Sequence, residues 1–335
     1  MATLEDVAAV AGVAITTVSR ALRNDATLKI TADTRDRILA AAQKVGYEQK
    51  RQKSGPVKRN ILIVHKDTHF DNQMDNAYYF SMRTGQEAAC MERGVDYKYI
   101  PYSLLGPMGE PCDGAVIMGN FWREELDFIL KTLKTNHLVF TGLMNFYPEK
   151  MDWVTYDVSG ALELLVRYLV RRGKRTAVYF GGTETPDSSP RCSKSAAFKA
   201  HAEALGLRCL DRVDVDHGAE SGYKVMREWL QEGRGLPDAF VASNDPIAIG
   251  MMKALAEAGV RIPEEVSIMA VNGDSSGEFM NPPLTTVDVH TKWMGMETVL
   301  TLLEQIESGR IYRKKIEFSP ELLERASVGG EKEKE

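Results

Sequence analysis

At 335 residues, with 42 Lys and Arg against 47 Asp and Glu, the chain is long enough for a small domain joined to a larger two-part core. No run of about 18 apolar residues occurs and the N-terminus lacks a charged-then-apolar leader, which argues against a membrane span or a secretory signal and leads us to expect a cytoplasmic protein. Charge is divided unevenly: residues 1–59 carry 11 Lys and Arg against 6 Asp and Glu, a net of +5, and the remainder carries −10. A basic head on an acidic body suits a phosphate-binding module attached to something that does not bind nucleic acid. The four cysteines (Cys90, Cys112, Cys192, Cys209) are widely spaced without a CxxC pair, so they read as reduced small hydrophobes rather than metal ligands or disulfides.

Residues 3–24, TLEDVAAVAGVAITTVSRALRN, have the pattern of a helix-turn-helix. Leu4, Val7, Ala8, Val10 and Ala11 fall at helical spacing and are expected to form the buried face of a first helix. Gly12 supplies a turn whose left-handed backbone is cheap only without a Cβ. Val13 plugs that turn, and a second helix runs from Ala14 to Leu22 with Val18 and Leu22 inward. Its outer side carries Thr16, Thr17, Ser19 and Arg20. Such a face can lie in a major groove, where arginine reads guanine and hydroxyls hold phosphates or bases. A third helix should start at an N-cap Thr31, pack through Ile38, Leu39, Ala42 and Val45, and close at Gly46.

The segment A-x-x-A-G-V-x-x-x-T-V-S-R-x-L, followed by T-x-D-T-R-D-R-I-L-A-A-A-Q-K-V-G-Y at 31–47, resembles the LacI/GalR family of bacterial transcription regulators. Within it the chain is most similar to repressors of galactose and β-galactoside operons, through AYYFSMRTGQE, FVASNDPIAIG and NPPLTTVDVH. The resemblance implies a DNA-binding domain at 1–47, a hinge at 48–60 and an effector-binding and dimerisation core at 61–335. It implies DNA contacts by Thr3, Leu4, Ile15, Thr16, Thr17, Ser19, Arg20, Asn24, Thr34, Lys50 and Arg51, with Ile15 and Thr16 at positions that vary with operator identity. Two departures stand out. The family hinge carries a leucine that wedges into the minor groove, whereas this chain has no leucine between Leu39 and Leu62. Ala14 replaces the serine that caps the recognition helix, and losing such a cap costs roughly 0.5–2 kcal/mol.

From Asn60 the pattern alternates between strands and helices. ILIVH (61–65), DGAVIMG (113–119), HLVFTG (137–142), TAVYFGG (176–182), AFVAS (239–243) and VSIMAVNG (266–273) are apolar runs of the kind buried on both faces of a parallel sheet. Helices are expected at 78–93, 160–172, 194–205, 219–232, 246–258 and 291–308. The count is enough for two doubly wound α/β lobes behind an all-α head. By resemblance the core has the two-lobed periplasmic-binding-protein shape. One lobe covers about 61–155 and 290–316, the other about 158–287 and 319–328, and the crossovers fall near 154–159, 286–291 and 315–319.

Ligands of such sheets bind beyond the carboxyl ends of the strands, so those loops are where effector residues are sought. Tyr78 and Tyr79 stand where the family has two aromatics, one to pack on a ligand ring and the other to enter the core. Lys194 takes the place of a family arginine, keeping the charge but losing the two-pronged fork. His217 stands where the family often has a stacking aromatic. Asn244 and Asp245 sit at a strand end before a helix, one to bind hydroxyls and one to cap the helix. Asn272 replaces a family aspartate, and the resemblance adds Asn120 and Asp157. Amides, carboxylates and aromatic platforms suit a neutral sugar, so a galactose or β-galactoside type of effector is expected; a purine, nucleoside or phosphoprotein effector is the alternative.

The chain contains no G-x-G-x-x-G, P-loop or H-E-x-x-H, so neither an enzyme nor a cofactor or metal is expected. A transport protein with the same core fits poorly with the basic head. Without an added heptad helix, a two-fold homodimer reading a pseudo-palindromic double-stranded operator is the expected unit.

Overall fold

The computed structural model describes residues 2–22, 28, 30–47, 59–67, 76–106, 111–143, 146–182 and 193–330. The chain divides into two compact units between Val57 and Lys58. Asn24, Lys50, Arg51, most of the 48–60 linker and Cys192 lie outside the described residues.

In the first unit, helix α1 spans Leu4–Ala11, α2 Ile15–Leu22 and α3 Ala32–Lys44. Thr3 and Asp6 form a reciprocal capping box at the start of α1: the Asp6 amide donates to Thr3 Oγ1, and the Thr3 amide to Asp6 Oδ2 at 2.7 Å. These hydrogen bonds, chiefly that from the Thr3 backbone, pull the Asp6 pKa below the ordinary carboxylate value. Gly12 follows in the left-handed region at φ 66°, and Arg37 Nη2 donates to the Ala11 carbonyl at 3.1 Å, meeting one of the acceptors left over at the end of α1. Val7, Ala8, Ala11, Val18, Ala21, Ile38, Ala41 and Ala42 form the core. Two expectations are corrected here: Val10 is 48% exposed and Leu39 52% exposed. At 100° per residue the inward rows are 4, 7, 8, 11 and 38, 41, 42, 45, and these two side chains fall one step off them.

In the second unit, lobe 1 is a six-stranded sheet built from β1 (Asn60–His65), β2 (Asp96–Pro101), β3 (Gly114–Met118), β4 (Leu138–Thr141), β5 (Asp152–Tyr156) and β11 (Lys315–Phe318), in the order β11-β5-β4-β3-β1-β2. Lobe 2 repeats the plan with β6 (Thr176–Gly181), β7 (Arg208–Asp214), β8 (Ala239–Ala242), β9 (Ser267–Asn272), β10 (Thr285–Asp288) and β12 (Glu321–Leu323), in the order β12-β10-β9-β8-β6-β7. All pairings are parallel except β10 with β12. Helices α4 (Ala77–Arg93) and α10 (Thr291–Ser308) pack together on one face of lobe 1, and α5 (Arg123–Thr132) contributes Leu126 and Ile129 to a separate core cluster with Leu62, Ile117 and Phe140. In lobe 2, α6 (Val158–Arg171) packs on α7 (Lys194–Leu205), and α8 (Ala219–Gln231) on α9 (Asp245–Glu257). One apolar cluster runs continuously from Ile61 and Val154 of lobe 1 to Tyr179 and Val271 of lobe 2.

The chain passes between the sheets three times: at Asp157 between β5 and α6, at Val289–His290 between β10 and α10, and at residues 319–320 between β11 and β12. Beside the second passage, α4 and α10 approach so closely that a Cβ on Gly85 would sit 1.9 Å from the Lys292 carbonyl oxygen, and one on Gly295 2.0 Å from that of Met82. Backbone cannot retreat from such a clash as a flexible side chain can. Gly85→Ala should therefore destabilise the core by about 1–3 kcal/mol or more, the usual range for overpacking, read as a lower urea midpoint; an unchanged midpoint would show that the two helices separate freely.

Candidate DNA-reading face and interlobe cleft

On α2 the exposed side chains are Ile15, Thr16 and Arg20, with Thr17 and Ser19 half-buried between them and the Val18–Ala21 core side. Positions 15, 16, 19 and 20 are linked by steps of three and four and so share one helical face. Thr3 is exposed and engaged as the α1 cap, while Leu4 is partly buried against the head core. Thr34 hydrogen bonds through its backbone and hydroxyl to Thr31, at 3.3 and 2.8 Å, completing the start of α3.

The cleft-side loops of the core divide into three groups. The first surrounds a cavity of about 720 Å3 whose walls include Tyr78, Ser81 and Thr84 of α4, the loop Asn272–Ser276 after β9, and Thr291 at the start of α10. Tyr78 and Asn272 are the two sequence-expected residues found here. Ser81, Thr84, Ser275, Ser276 and Thr291 were not anticipated. The Thr291 hydroxyl donates to Ser81 Oγ at 2.9 Å, joining α10 to α4 at the cavity wall. No lysine or arginine lines this cavity among the described residues, and Asp274 is its one acidic side chain.

The loop's shape rests on Asp245, the first residue of α9, which is completely buried. Asp245 Oδ2 accepts the Asp274 amide at 2.5 Å and Oδ1 accepts the Thr286 hydroxyl at 2.5 Å; Thr286 Oγ1 in turn accepts the Gly273 amide at 3.3 Å. Asn272 is held at φ 136°, rare for a residue with a side chain, and a Cβ on Gly273 would lie 2.7 Å from the Asp288 Cα. The expectation that either Asn244 or Asp245 caps the helix resolves onto Asn244, whose Oδ1 accepts the Ile247 amide at 3.0 Å. Asp245 lies beneath the loop with both oxygens engaged.

A second group gathers where β6 and β8 end. Lys194 Nζ donates to the Ser243 carbonyl at 2.7 Å, and Ser193 Oγ caps α7 by accepting the Ala196 amide at 3.0 Å. The His217 imidazole remains partly open to solvent; desolvation by the surrounding loops, then the charge of Lys194, holds its pKa below the ordinary value. In the third group, Asn120 Oδ1 accepts the Leu143 amide at 2.9 Å, clasping the loops after β3 and β4, and Asp157 Oδ1 accepts the Gly160 amide at 2.8 Å as the cap of α6. Tyr79 meets Tyr78 edge-on with centroids 5.1 Å apart. Burial raises the pKa of both phenols, and that of Tyr78 also feels Tyr156, whose buried hydroxyl has no partner among the described residues. Among the described residues no cluster of three or more His, Cys, Asp or Glu is placed to hold a metal ion, and no helix is long and apolar enough to cross a membrane.

Burial lifts the Asp245 pKa from 3.8 to about 6 against the opposing pull of its two hydrogen-bond donors. Because the folded pKa exceeds the unfolded one, folding takes up a proton between those values, and stability falls as pH rises from about 4 to about 6. A two-unit difference corresponds to ~3 kcal/mol. Asp245→Asn should flatten that part of the wild-type pH–stability profile in urea unfolding; profiles with equal slopes would remove Asp245 as its source.

Residues 3–49 match the model of bacterial regulatory proteins, lacI family, and residues 166–328 match the periplasmic binding protein-like domain. The HTH-type transcriptional regulator GalR of Streptococcus thermophilus is 30% identical over 318 residues, covering 92% of this chain and 94% of that protein. The HTH-type transcriptional regulator GanR of Bacillus subtilis (strain 168) is 30% identical over 335 residues, covering 98% and 100%. Among solved structures, a transcriptional regulator CelR–cellobiose complex superposes with a TM-score of 0.71 at 23% identity, covering 98% of this chain and 100% of that one. A lac repressor dimer bound to operator and the anti-inducer ONPF gives 0.70 at 19% identity, covering 98% and 99%. These structural likenesses establish the shared fold.

Proposed function

The chain belongs to the lacI family of bacterial regulatory proteins, and on that premise we propose that it is a homodimeric repressor of a sugar-utilisation operon whose effector is a neutral sugar of the galactose or β-galactoside type, bound between the lobes. The observation that carries the effector class is the chemistry of the 720 Å3 cavity: hydroxyls, the Asn272 amide and the Tyr78 ring, without a cation to draw a charged ligand. Its size suits a mono- or disaccharide. The amide can both donate to and accept from sugar hydroxyls, and an aromatic face can pack against the apolar side of a pyranose. The relatives GalR, GanR and MelR are transcriptional regulators or repressors, which agrees with the regulatory part of this reading.

In this reading Tyr78 and Asn272 meet the sugar directly, while Asn120, Asp157, Asn244 and Asp245 position the loops around it. Lys194 and His217 border the site from the β6 and β8 side. A ligand touching both α4 and the loop after β9 favours one spacing of the lobes over others, and that difference in affinity is what can alter operator binding. The regulator would sit in the cytoplasm with its operator, each protomer of a two-fold dimer presenting α2 to one half-site.

Two measurements separate the parts. Arg20→Ala should weaken specific operator binding by about 1–3 kcal/mol per half-site in gel shifts and leave sugar affinity untouched, whereas exchanging Ile15 or Thr16 should change which operator is preferred. Equal operator affinity for wild type and Arg20→Ala would take Arg20 out of the reading face. Asn272→Gly removes the amide without opposing the φ of 136°. It should weaken galactose or lactose binding by about 1–3 kcal/mol in isothermal titration while melting stays near wild type. If wild type binds neither sugar, the effector class is wrong; if the variant binds as tightly, the cavity assignment is wrong.

A further inference from the structure

Lobe 1 contains a second cavity, of about 340 Å3, where β4, β5 and β11 begin, at the end of the sheet away from the strand-end loops of the cleft. Leu130, Leu133 and Leu138 supply its apolar lining. Around it stand Lys134, Lys150 and Arg313, with Glu149 the single carboxylate in the lining. None of these three cations makes an ion pair among the described residues. Lys150 Nζ lies 4.5 Å over the Tyr147 ring. Arg313 Nη2 donates to the Asn136 carbonyl at 3.3 Å, while its Nε is buried with no acceptor among the described residues.

The neighbouring cations behave differently. Arg310 is locked to Asp152 and Glu304, and Lys314 pairs with the same Glu304 at 2.9 Å. The fold therefore neutralises the charges that flank the cavity and leaves those lining it unneutralised. The carboxyl end of α5, which bears about half a negative charge, and Glu149 offset part of the excess, and a net positive lining remains.

We propose that this cavity binds a small soluble organophosphate: a phosphate group held by Lys134, Lys150 and Arg313, and an apolar body resting on Leu130, Leu133 and Leu138. Three separated donors match a dianion with three acceptor oxygens better than they match a single carboxylate. The volume admits a body of several carbons beside the phosphate. Its lining shares no residue with that of the larger cavity, so its ligand and the sugar would not compete.

The same phosphate chemistry is also present on the DNA backbone, and the test distinguishes the two sources. Phenyl phosphate is titrated calorimetrically into the full-length chain, with phenol as the uncharged control. Saturable binding of phenyl phosphate but not phenol is expected. The Lys134→Gln/Lys150→Gln variant should bind at least tenfold more weakly with unchanged melting temperature and galactose affinity. Arg313→Lys, which keeps the charge and loses the guanidinium fork, should also bind more weakly. No saturable binding, or equal affinity in the double variant, would overturn the proposal. So would a double variant that leaves phenyl phosphate binding intact but reduces the salt dependence of operator binding, since its lysines would then serve the DNA backbone.

Discussion

The carboxylate of Asp245 is taken entirely out of water, and both of its oxygens are committed to holding other parts of lobe 2. One reaches the backbone of the loop after β9, the other the hydroxyl of Thr286 in β10, and Thr286 closes the circuit by accepting the Gly273 amide. An isolated charge in such a place would be expelled, and two donors go part of the way to offsetting its desolvation. The balance keeps the group present and holds its proton more tightly than an ordinary carboxyl does. What the circuit fixes is a loop with little freedom left: Asn272 in a backbone conformation that side chains rarely adopt, and Gly273 pressed against Asp288. That loop forms one wall of the larger cavity.

The opposite wall belongs to α4, and the connection between the walls runs through the start of α10. β10 lies in the lobe 2 sheet, and two residues later α10 is packed on α4. At the passage His290 takes a left-handed backbone, its amide donating to Asp288 Oδ1 at 2.7 Å, on the same Asp288 against which Gly273 packs. Immediately beyond, Thr291 donates to Ser81, and Gly85 and Gly295 permit backbone contact between the helices. Loop, crossover and helix pair thus form one chain of short, stiff contacts. Packed elements of this kind move as units, so a change in spacing across the cavity would be carried by rigid lobes turning about the crossovers rather than by local bending.

How far the sequence could be read follows from where burial is symmetrical. β1, β3, β4, β6, β8 and β9 are covered on both faces, and their continuous apolar runs are visible without a structure. β2 (DYKYIP) and β7 (RCLDRVD) are edge strands with alternating or mostly exposed side chains, and nothing in their composition separates them from loops. In the head, Val10 and Leu39 were expected inside because hydrophobicity alone does not distinguish adjacent helical positions. In the site, Asn272 is legible because it ends an apolar strand. Ser81, Thr84 and Thr291 resemble ordinary polar surface residues of two helices distant in sequence, and only the α4–α10 packing brings them to one wall. Asp245 was legible as a strand-end carboxylate, but its burial depends on Thr286, 41 residues away.

The distribution of charge gives the two halves of the chain different physics. The N-terminal segment is net basic, and attraction of such a segment to phosphates is long-range, screened by salt and amplified by counterion release. Apart from the single carboxylate of Asp274, the larger cavity is lined by hydroxyls, an amide and aromatic rings, whose interactions are short-ranged and nearly indifferent to ionic strength. An acidic body also repels DNA, so non-specific attraction is confined to the small unit that does the reading. A neutral ligand adds no charge to the body and cannot change that attraction electrostatically. A response of the core to such a ligand would therefore be geometric, and within the core the stiff contacts between the Asp245 circuit, the crossover and the paired helices join the two lobes mechanically.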